Sequence, residues 1–233
     1  MHTIVSNDRI VEGIYLMTVE GKFQARMGQF YMLRAWDKTP ILSRPISIFN
    51  IEQDCIQFLY KVAGEGTRLF ANLRAGDGIQ LEGPFGNGFP QVTGKTALIG
   101  GGIGIAPLLY TAKQLDQPDI YLGFRGQSYL TEMYEPYANN LKVCVNGNLL
   151  EDLDLSQYDN VLVCGPNGMM RAVALKGEHL DTNIYVSFEK RMACGIGACY
   201  VCSITNKDSN RKVCADGPVF LSKEVDWHAE LSL

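Results

Sequence analysis

Up to about residue 90 the apolar positions fall in short runs, GQFYMLRAW, RPISIFNI, CIQFLYKV and GIQLEG, separated by polar and turn residues. Within Cys55-Ile56-Gln57-Phe58-Leu59-Tyr60 apolar and polar positions alternate, the period-two mark of a half-buried strand, and AGDG at 75 to 78 reads as a turn. Closely spaced strands of this kind predict a small antiparallel barrel. From Thr96 the pattern changes. TALIG and DIYLGFRG read as strands, APLLYTAKQL as an amphipathic helix with Pro107 in its first turn, and LTEMYEPYANNL as a second helix. KVCVNG and NVLVCG follow as strands, MMRAVALKG as a helix and NIYVSFE as a strand. Strands alternating with helices predict a parallel sheet. The fold class expected is α+β multidomain: an antiparallel β-barrel over 1–92, an α/β parallel-sheet domain over 93–189 and a small module over 190–233.

Charge narrows the partners. The 233 residues carry 21 basic and 25 acidic side chains, a net charge of -4, with no long basic run, so neither nucleic acid nor an anionic membrane surface is an expected partner. The uncharged stretch TALIGGGIGIAPLLYTA, 96–112, falls short of the ~20 apolar residues a membrane span needs. The start MHTIVSNDRIVEG lacks the features of a secretory signal, which gives a cytoplasmic location as the expectation. The three histidines are scattered and no G-x-S-x-G or H-E-x-x-H pattern occurs, so hydrolase and metalloprotease readings have no support.

Chemistry sits at the ends of the predicted strands. Arg44-Pro45-Ile46-Ser47 sets a cation, a fixed φ and a hydroxyl side by side; an Arg fork can grip a pyrophosphate, and the plain alternative is a strand start with a solvated Arg. GEGTRLF, 64–70, offers backbone N–H groups and Thr67 at a helix start, a second anion cradle. Gly100 to Gly104 lets a turn approach a phosphate, or lets a helix pack tightly on a strand. Its spacing is not the Rossmann fingerprint, and the next strand ends in Gly-Phe-Arg125 where that fingerprint has an acid. A second strand-to-glycine junction runs from Cys164 to Met169, and open α/β sheets bind ligands at the carboxyl ends of their strands. Two such edges predict a nucleotide site.

Four of the seven cysteines lie in the tail. Cys194-x4-Cys199-x2-Cys202, with Cys214 beyond, is close to the plant-type [2Fe–2S] spacing, and Gly195 and Gly197 leave the loop free to wrap a cluster. Zinc is the competing reading of four thiolates, although such sites usually come as two separated short-spaced pairs. Cys55, Cys144 and Cys164 lie in apolar strand patterns and read as small buried hydrophobes.

RPIS, YKVAGEGT, GDGIQLEGPFG, GGGIGIAP and CGPNGMM, in that order, resemble the ferredoxin-NADP reductase superfamily, in which a barrel holds a flavin and an α/β domain a pyridine nucleotide. With MACGIGACYVC and RKVCADGPVF after both, the whole chain resembles the electron transfer subunits of class 1B dihydroorotate dehydrogenases, iron–sulfur flavoproteins of pyrimidine biosynthesis. The resemblance implies that 1–92 binds FAD, 93–189 binds NAD and 190–233 holds a [2Fe–2S] cluster. It implies FAD contacts from Arg44, Pro45, Ile46, Ser47, Tyr60, Lys61, Val62, Gly66 and Thr67, with Lys61 departing from the Arg common in relatives. It implies nucleotide contacts from Gly101, Gly102, Gly104, Cys164, Gly165 and Pro166, with Cys164 approaching the nicotinamide, and cluster ligation by Cys194, Cys199, Cys202 and Cys214. No catalytic side chain is assigned.

The same resemblance implies a separate FMN-containing catalytic subunit that oxidises dihydroorotate, a heterotetramer of two of each chain, and electron transfer through the [2Fe–2S] cluster and FAD to NAD+, giving NADH. A subunit of an NADH-dependent ferredoxin:NADP+ oxidoreductase or of a sulfhydrogenase shares this plan. The alternative of another class is a zinc-stapled nucleotide-binding scaffold without redox role. Lys190, Arg191 and Tyr200, in or beside the cysteine loop, are candidate docking residues, the plain alternative for the basic pair being a solvated strand end.

Overall fold

The computed structural model describes residues 1–151, 153–207 and 209–229. The first part is a seven-stranded antiparallel sheet curled into a barrel: β1 (His2–Val11), β2 (Ile14–Glu20), β3 (Phe30–Arg34), β4 (Arg44–Ser47), β5 (Asn50–Glu52), β6 (Cys55–Lys61) and β7 (Gly78–Phe85), in the spatial order β4-β3-β7-β1-β2-β6-β5. A short helix, α1 (Glu65–Ala71), follows β6. In β6 the alternation read from sequence becomes an inner face of Ile56, Phe58 and Tyr60, packed on Met17, Val19, Leu33, Ile79 and Phe70. Each such side chain contributes about 1.5–3 kcal/mol of burial free energy, so this stripe fixes the register of β6 on β2.

The second part is a six-stranded sheet of β8 (Thr96–Gly101), β9 (Asp119–Phe124), β10 (Asn140–Val145), β11 (Asn160–Cys164), β12 (Asn183–Ser187) and β15 (Val219–Leu221), in the order β10-β9-β8-β11-β12-β15. The first five pair in parallel. β15 is antiparallel to β12, with Val186 opposite Phe220. Helix α2 (Ala106–Ala112) follows β8 and α3 (Asn167–Lys176) follows β11. Between β12 and β15 the chain makes the cysteine loop and a two-stranded ribbon, β13 (Ser203–Thr205) with β14 (Asn210–Lys212).

LTEMYEPYANNL does not form the helix its pattern predicts. Leu130 takes a left-handed backbone at φ 54°, and Thr131–Met133 and Glu135–Tyr137 form two separate 3-10 turns. Pro136 begins the second turn without an N–H to extend the first, and Tyr134 is buried with its hydroxyl donating to Ile105 O at 2.9 Å. Cys164 is buried as expected, whereas Cys55 and Cys144 are only half-buried, on strands at or near a sheet edge.

The parts share their cores. Phe30 and Met32 of the barrel pack in one apolar cluster with Val163, Phe188, Cys202, Cys214 and Trp227. A second cluster joins Phe49, Leu59 and Phe89 to Leu98, Leu108 and Leu122. Tyr110 N–H donates to Phe49 O at 3.0 Å, and the Tyr110 hydroxyl to Ala25 O at 3.1 Å. Barrel, sheet and cysteine loop therefore hold each other in one arrangement.

Candidate functional site

A cavity of about 390 Å³ lies where barrel, sheet and cysteine loop meet. Its barrel side is Phe30, Arg44, Pro45, Ile46, Ser47, Leu59, Tyr60, Lys61, Ala63 and Thr67. Ile103 and Ala106 come from the turn after β8, and residues 187 to 192 from the end of β12 onward, with Pro218 closing the far side. The structure thus brings Arg44, Pro45, Ile46, Ser47, Tyr60, Lys61 and Thr67 to one surface. Val62 is not on it; its side chain packs against the barrel core and its N–H donates to Gly13 O at 2.8 Å.

Arg44 explains Gly66. A Cβ on Gly66 would lie 2.5 Å from Arg44 Nε and 2.8 Å from Trp36 Cη2, so only glycine lets α1 approach β4. The Arg44 guanidinium stacks over Trp36 at 5.3 Å from the ring centroid and donates to Leu42 O. Thr67 closes the preceding turn, its Oγ1 accepting from Ala63 N–H at 2.9 Å and Gly64 N–H at 3.1 Å. Tyr60 donates to Asn7 Oδ1 at 3.0 Å, and burial pushes its phenol pKa up. Four cations, Arg44, Lys61, Lys190 and Arg191, face this cavity with one acid, Glu189. An apolar wall with an excess of positive charge fits an aromatic ring system joined to a pyrophosphate, which is what FAD presents.

Glu189 was not marked by the sequence. It opens onto the cavity, yet the surrounding protein removes much of the water a carboxylate needs and raises its pKa above the ordinary range. Lys190 and Arg191 both line the cavity, and Arg191 is exposed.

The sheet order places β8 and β11 side by side, and the chain reverses direction across the sheet between them, the position where open α/β folds bind ligands. Both predicted glycine loops lie at that edge. A Cβ on Gly104 would sit 2.5 Å from Cys164 O and 2.5 Å from Gly165 Cα, and one on Gly101 would sit 2.6 Å from Met169 Sδ. These glycines let the two loops touch. Gly102 differs: its φ is +56° and nothing stands within 4 Å of its would-be Cβ, leaving its backbone open to a ligand. Cys164 is buried beneath, its thiol pKa raised by desolvation and by Glu189. The edge offers N–H groups and space, as a dinucleotide requires.

The four tail cysteines gather as two pairs. Cys194 and Cys199 interact through their side chains, as do Cys202 and Cys214, and Cys194 and Cys214 sense each other's charge. Gly197 N–H donates to Cys214 Sγ at 3.1 Å, Ala198 N–H to Cys194 Sγ at 3.3 Å and Cys214 N–H to Cys202 Sγ at 3.4 Å. The Ile196 N–H, with further loop donors, lowers the Cys194 pKa to about 6, while burial lifts Cys214 to about 12. Gly195 and Gly197 have φ of +72° and +81°. A Cβ on Gly195 would meet Met32 Cγ at 3.0 Å, and one on Gly197 would meet Ala215 Cβ at 2.8 Å. Two cysteine pairs with amides aimed at the sulfurs fit a [2Fe–2S] cluster.

Comparison with known proteins agrees with this geometry. Residues 189–226 match the family described as the iron–sulfur cluster binding domain of dihydroorotate dehydrogenase B. The chain is 42% identical to the dihydroorotate dehydrogenase B (NAD(+)) electron transfer subunit of Clostridium acetobutylicum, with 95% of each chain covered. It is 40% identical to the protein of the same name from Clostridium perfringens, covering 96% of each. A solved structure of an NADH-dependent reduced ferredoxin-NADP oxidoreductase, described in connection with flavin-based electron bifurcation, superposes with a TM-score of 0.86 at 26% identity, over 100% of this chain and 92% of that one.

Proposed function

Since the chain belongs to the family of electron transfer subunits of NAD+-dependent dihydroorotate dehydrogenase B, we propose that the cavity holds FAD, the β8/β11 edge holds NAD and the four tail cysteines hold the cluster. The chain is an iron–sulfur flavoprotein oxidoreductase subunit that passes electrons derived from dihydroorotate to NAD+ in pyrimidine biosynthesis. Bound flavin supplies the exchange between a one-electron cluster and a two-electron nicotinamide.

The residues divide this work. Arg44 and Lys61, beside the α1 turn, offer charge to a pyrophosphate. Phe30, Leu59, Phe188 and Met192 exclude water from the middle of the cavity. Glu189 is the one ionisable acid there able to hold or release a proton. One observation carries the reading: Met192 lines the cavity two residues before Cys194, and Gly195 rests on Met32, whose strand neighbour is Pro45 of RPIS. Cluster loop and flavin wall are thus continuous.

The partner is a dihydroorotate dehydrogenase catalytic subunit. We take it to carry FMN, to assemble as two of each chain and to work in the cytoplasm; among the described residues no helix is long and apolar enough to cross a membrane. Its contact surface we place on Ile196, Tyr200 and Val201, which are exposed around the exposed Cys199. The test is to purify the full chain and record its absorbance, iron and acid-labile sulfide. Flavin and iron–sulfur bands that bleach with NADH are expected, and a colourless, zinc-loaded protein would overturn the reading.

A further inference from the structure

We propose that Lys212 is a potential-setting residue: its ammonium, held on the face of Tyr200 above the cysteine loop, is a fixed positive charge that favours the reduced state of the cluster.

The backbone at this position is already anchored. Lys212 O accepts from the N–H groups of Ala215, Asp216 and Gly217 at 3.1, 2.7 and 3.3 Å, and Lys212 N–H donates to Asp216 Oδ2 at 2.7 Å. The side chain is therefore not needed to shape the turn. It runs to Tyr200, where Nζ stands 4.9 Å from the ring centroid, a cation–π distance. Tyr200 reaches that position from a left-handed backbone at φ 58°, which a non-glycine residue adopts only when its surroundings enforce it. Gly197 lies beside the ammonium, its would-be Cβ 3.7 Å from Lys212 Nζ. The same glycine donates its N–H to Cys214 Sγ at 3.1 Å. The cation therefore sits beside the glycine whose amide is bonded to a cluster sulfur, with the Ala215 methyl also against that glycine at 2.8 Å from the same position.

Among the described residues no carboxylate stands within 4.0 Å of Lys212 Nζ in an ion pair; the nearby Asp216 carboxylate is engaged by the Lys212 backbone N–H. A charge outside a direct ion pair acts at longer range than a paired one, and the half-buried position limits its screening by solvent. Four thiolates give the site a negative bias, and reduction adds one further negative charge. A nearby cation lowers the cost of that addition, as hydrogen bonds to the sulfurs do.

This inference rests on the reading of the four cysteines as [2Fe–2S] ligands, and the experiment separates the two. The full-length holoprotein and its Lys212→Met, Lys212→Arg and Tyr200→Leu variants are titrated potentiometrically, the reduced cluster being followed by electron paramagnetic resonance and iron and sulfide by chemical assay. Lys212→Met keeps the stem and removes the charge. It is expected to shift the reduction equilibrium about tenfold toward the oxidised state, a fall of about 59 mV for one electron. Lys212→Arg should restore the wild-type potential, and Tyr200→Leu should produce part of the fall by releasing the ammonium into solvent. A merely structural role would lower iron content and leave the potential of the retained clusters unchanged. A shift below twofold in Lys212→Met overturns the proposal; if that variant fails to retain iron, an unchanged potential in Tyr200→Leu overturns it instead. Absence of any cluster signal from the wild-type protein would sink the ligand assignment itself.

Discussion

Replacing Gly104 by alanine tests whether the two glycine loops form one nucleotide edge. The new methyl would stand 2.5 Å from Cys164 O, 2.5 Å from Gly165 Cα and 2.6 Å from Cys164 C. All three are backbone atoms, so no rotamer change relieves the contact. To reach an ordinary separation near 3.4 Å, the loops after β8 and β11 must part by roughly 0.9 Å, a gap that already forfeits a quarter to a half of the dispersion energy across it. Overpacking of this kind costs about 2–3 kcal/mol, near the top of its usual range, because strands on both sides resist the shift. For a chain of this length the melting temperature should fall by about 4–12 °C. NAD+ affinity, measured by isothermal titration calorimetry on the FAD-loaded protein, should fall at least tenfold, about 1.4 kcal/mol. Gly102→Ala is the matched comparison. It has open space around it but a φ of +56°, so it carries only the left-handed strain of about 1–2 kcal/mol and does not part the loops. If Gly104→Ala melts and binds NAD+ as the wild type does, the loops do not touch as described and the edge is not a single site.

Cys199→Ser should abolish or severely reduce iron incorporation while FAD is retained, read by iron assay and flavin absorbance, because the cavity is walled by residues other than Cys199. Arg44→Ala should weaken FAD binding by about 1.5–3 kcal/mol, the range for a charge-assisted contact, and Arg44→Lys should restore it only partly, in a fluorescence titration of the apoprotein. Phe188→Ala removes a buried ring stacked on Trp227 at 5.6 Å and should destabilise the protein by about 3–5 kcal/mol in urea unfolding. The raised pKa of Glu189 means that the native apoprotein binds its proton more tightly than the unfolded chain does. Its carboxylate therefore becomes destabilising as pH rises through the unfolded value near ~4.3, and Glu189→Gln should raise the apoprotein melting temperature at pH 8 but not at pH 4.

Features whose residues are adjacent in sequence were the legible ones. The cluster cysteines lie on one short loop plus one return, so their spacing alone narrows the chemistry to a [2Fe–2S] cluster or zinc. RPIS and the two glycine edges were readable because strand ends bring small motifs to predictable places. The central hairpin of the barrel, β1 with β2, was not marked by alternation: along His2–Val11 only Ile4 is fully buried, so the strand lacks an apolar stripe to detect. The helix expected at 130–141 failed because apolar spacing outweighed Pro136 in the reading, while a left-handed Leu130 and two tight turns satisfied the same apolar residues. Glu189, Lys190 and Arg191 look in sequence like a charged strand end facing water. Only the return of β15 beside β12 turns that end toward the cavity.

That return ties the cysteine loop into the edge of the sheet. β12 ends at Ser187 and β15 starts at Val219, and the two lie paired, so the cysteine loop is a hairpin connection whose ends are tied by sheet hydrogen bonds and by Phe188 N–H donating to Pro218 O at 2.9 Å. The entropy lost in closing so long a connection is offset by this strand pairing. The loop's ends are thus set by contacts that include none of the four cysteines, so the barrel and sheet are expected to fold without iron, which circular dichroism of iron-free protein would check.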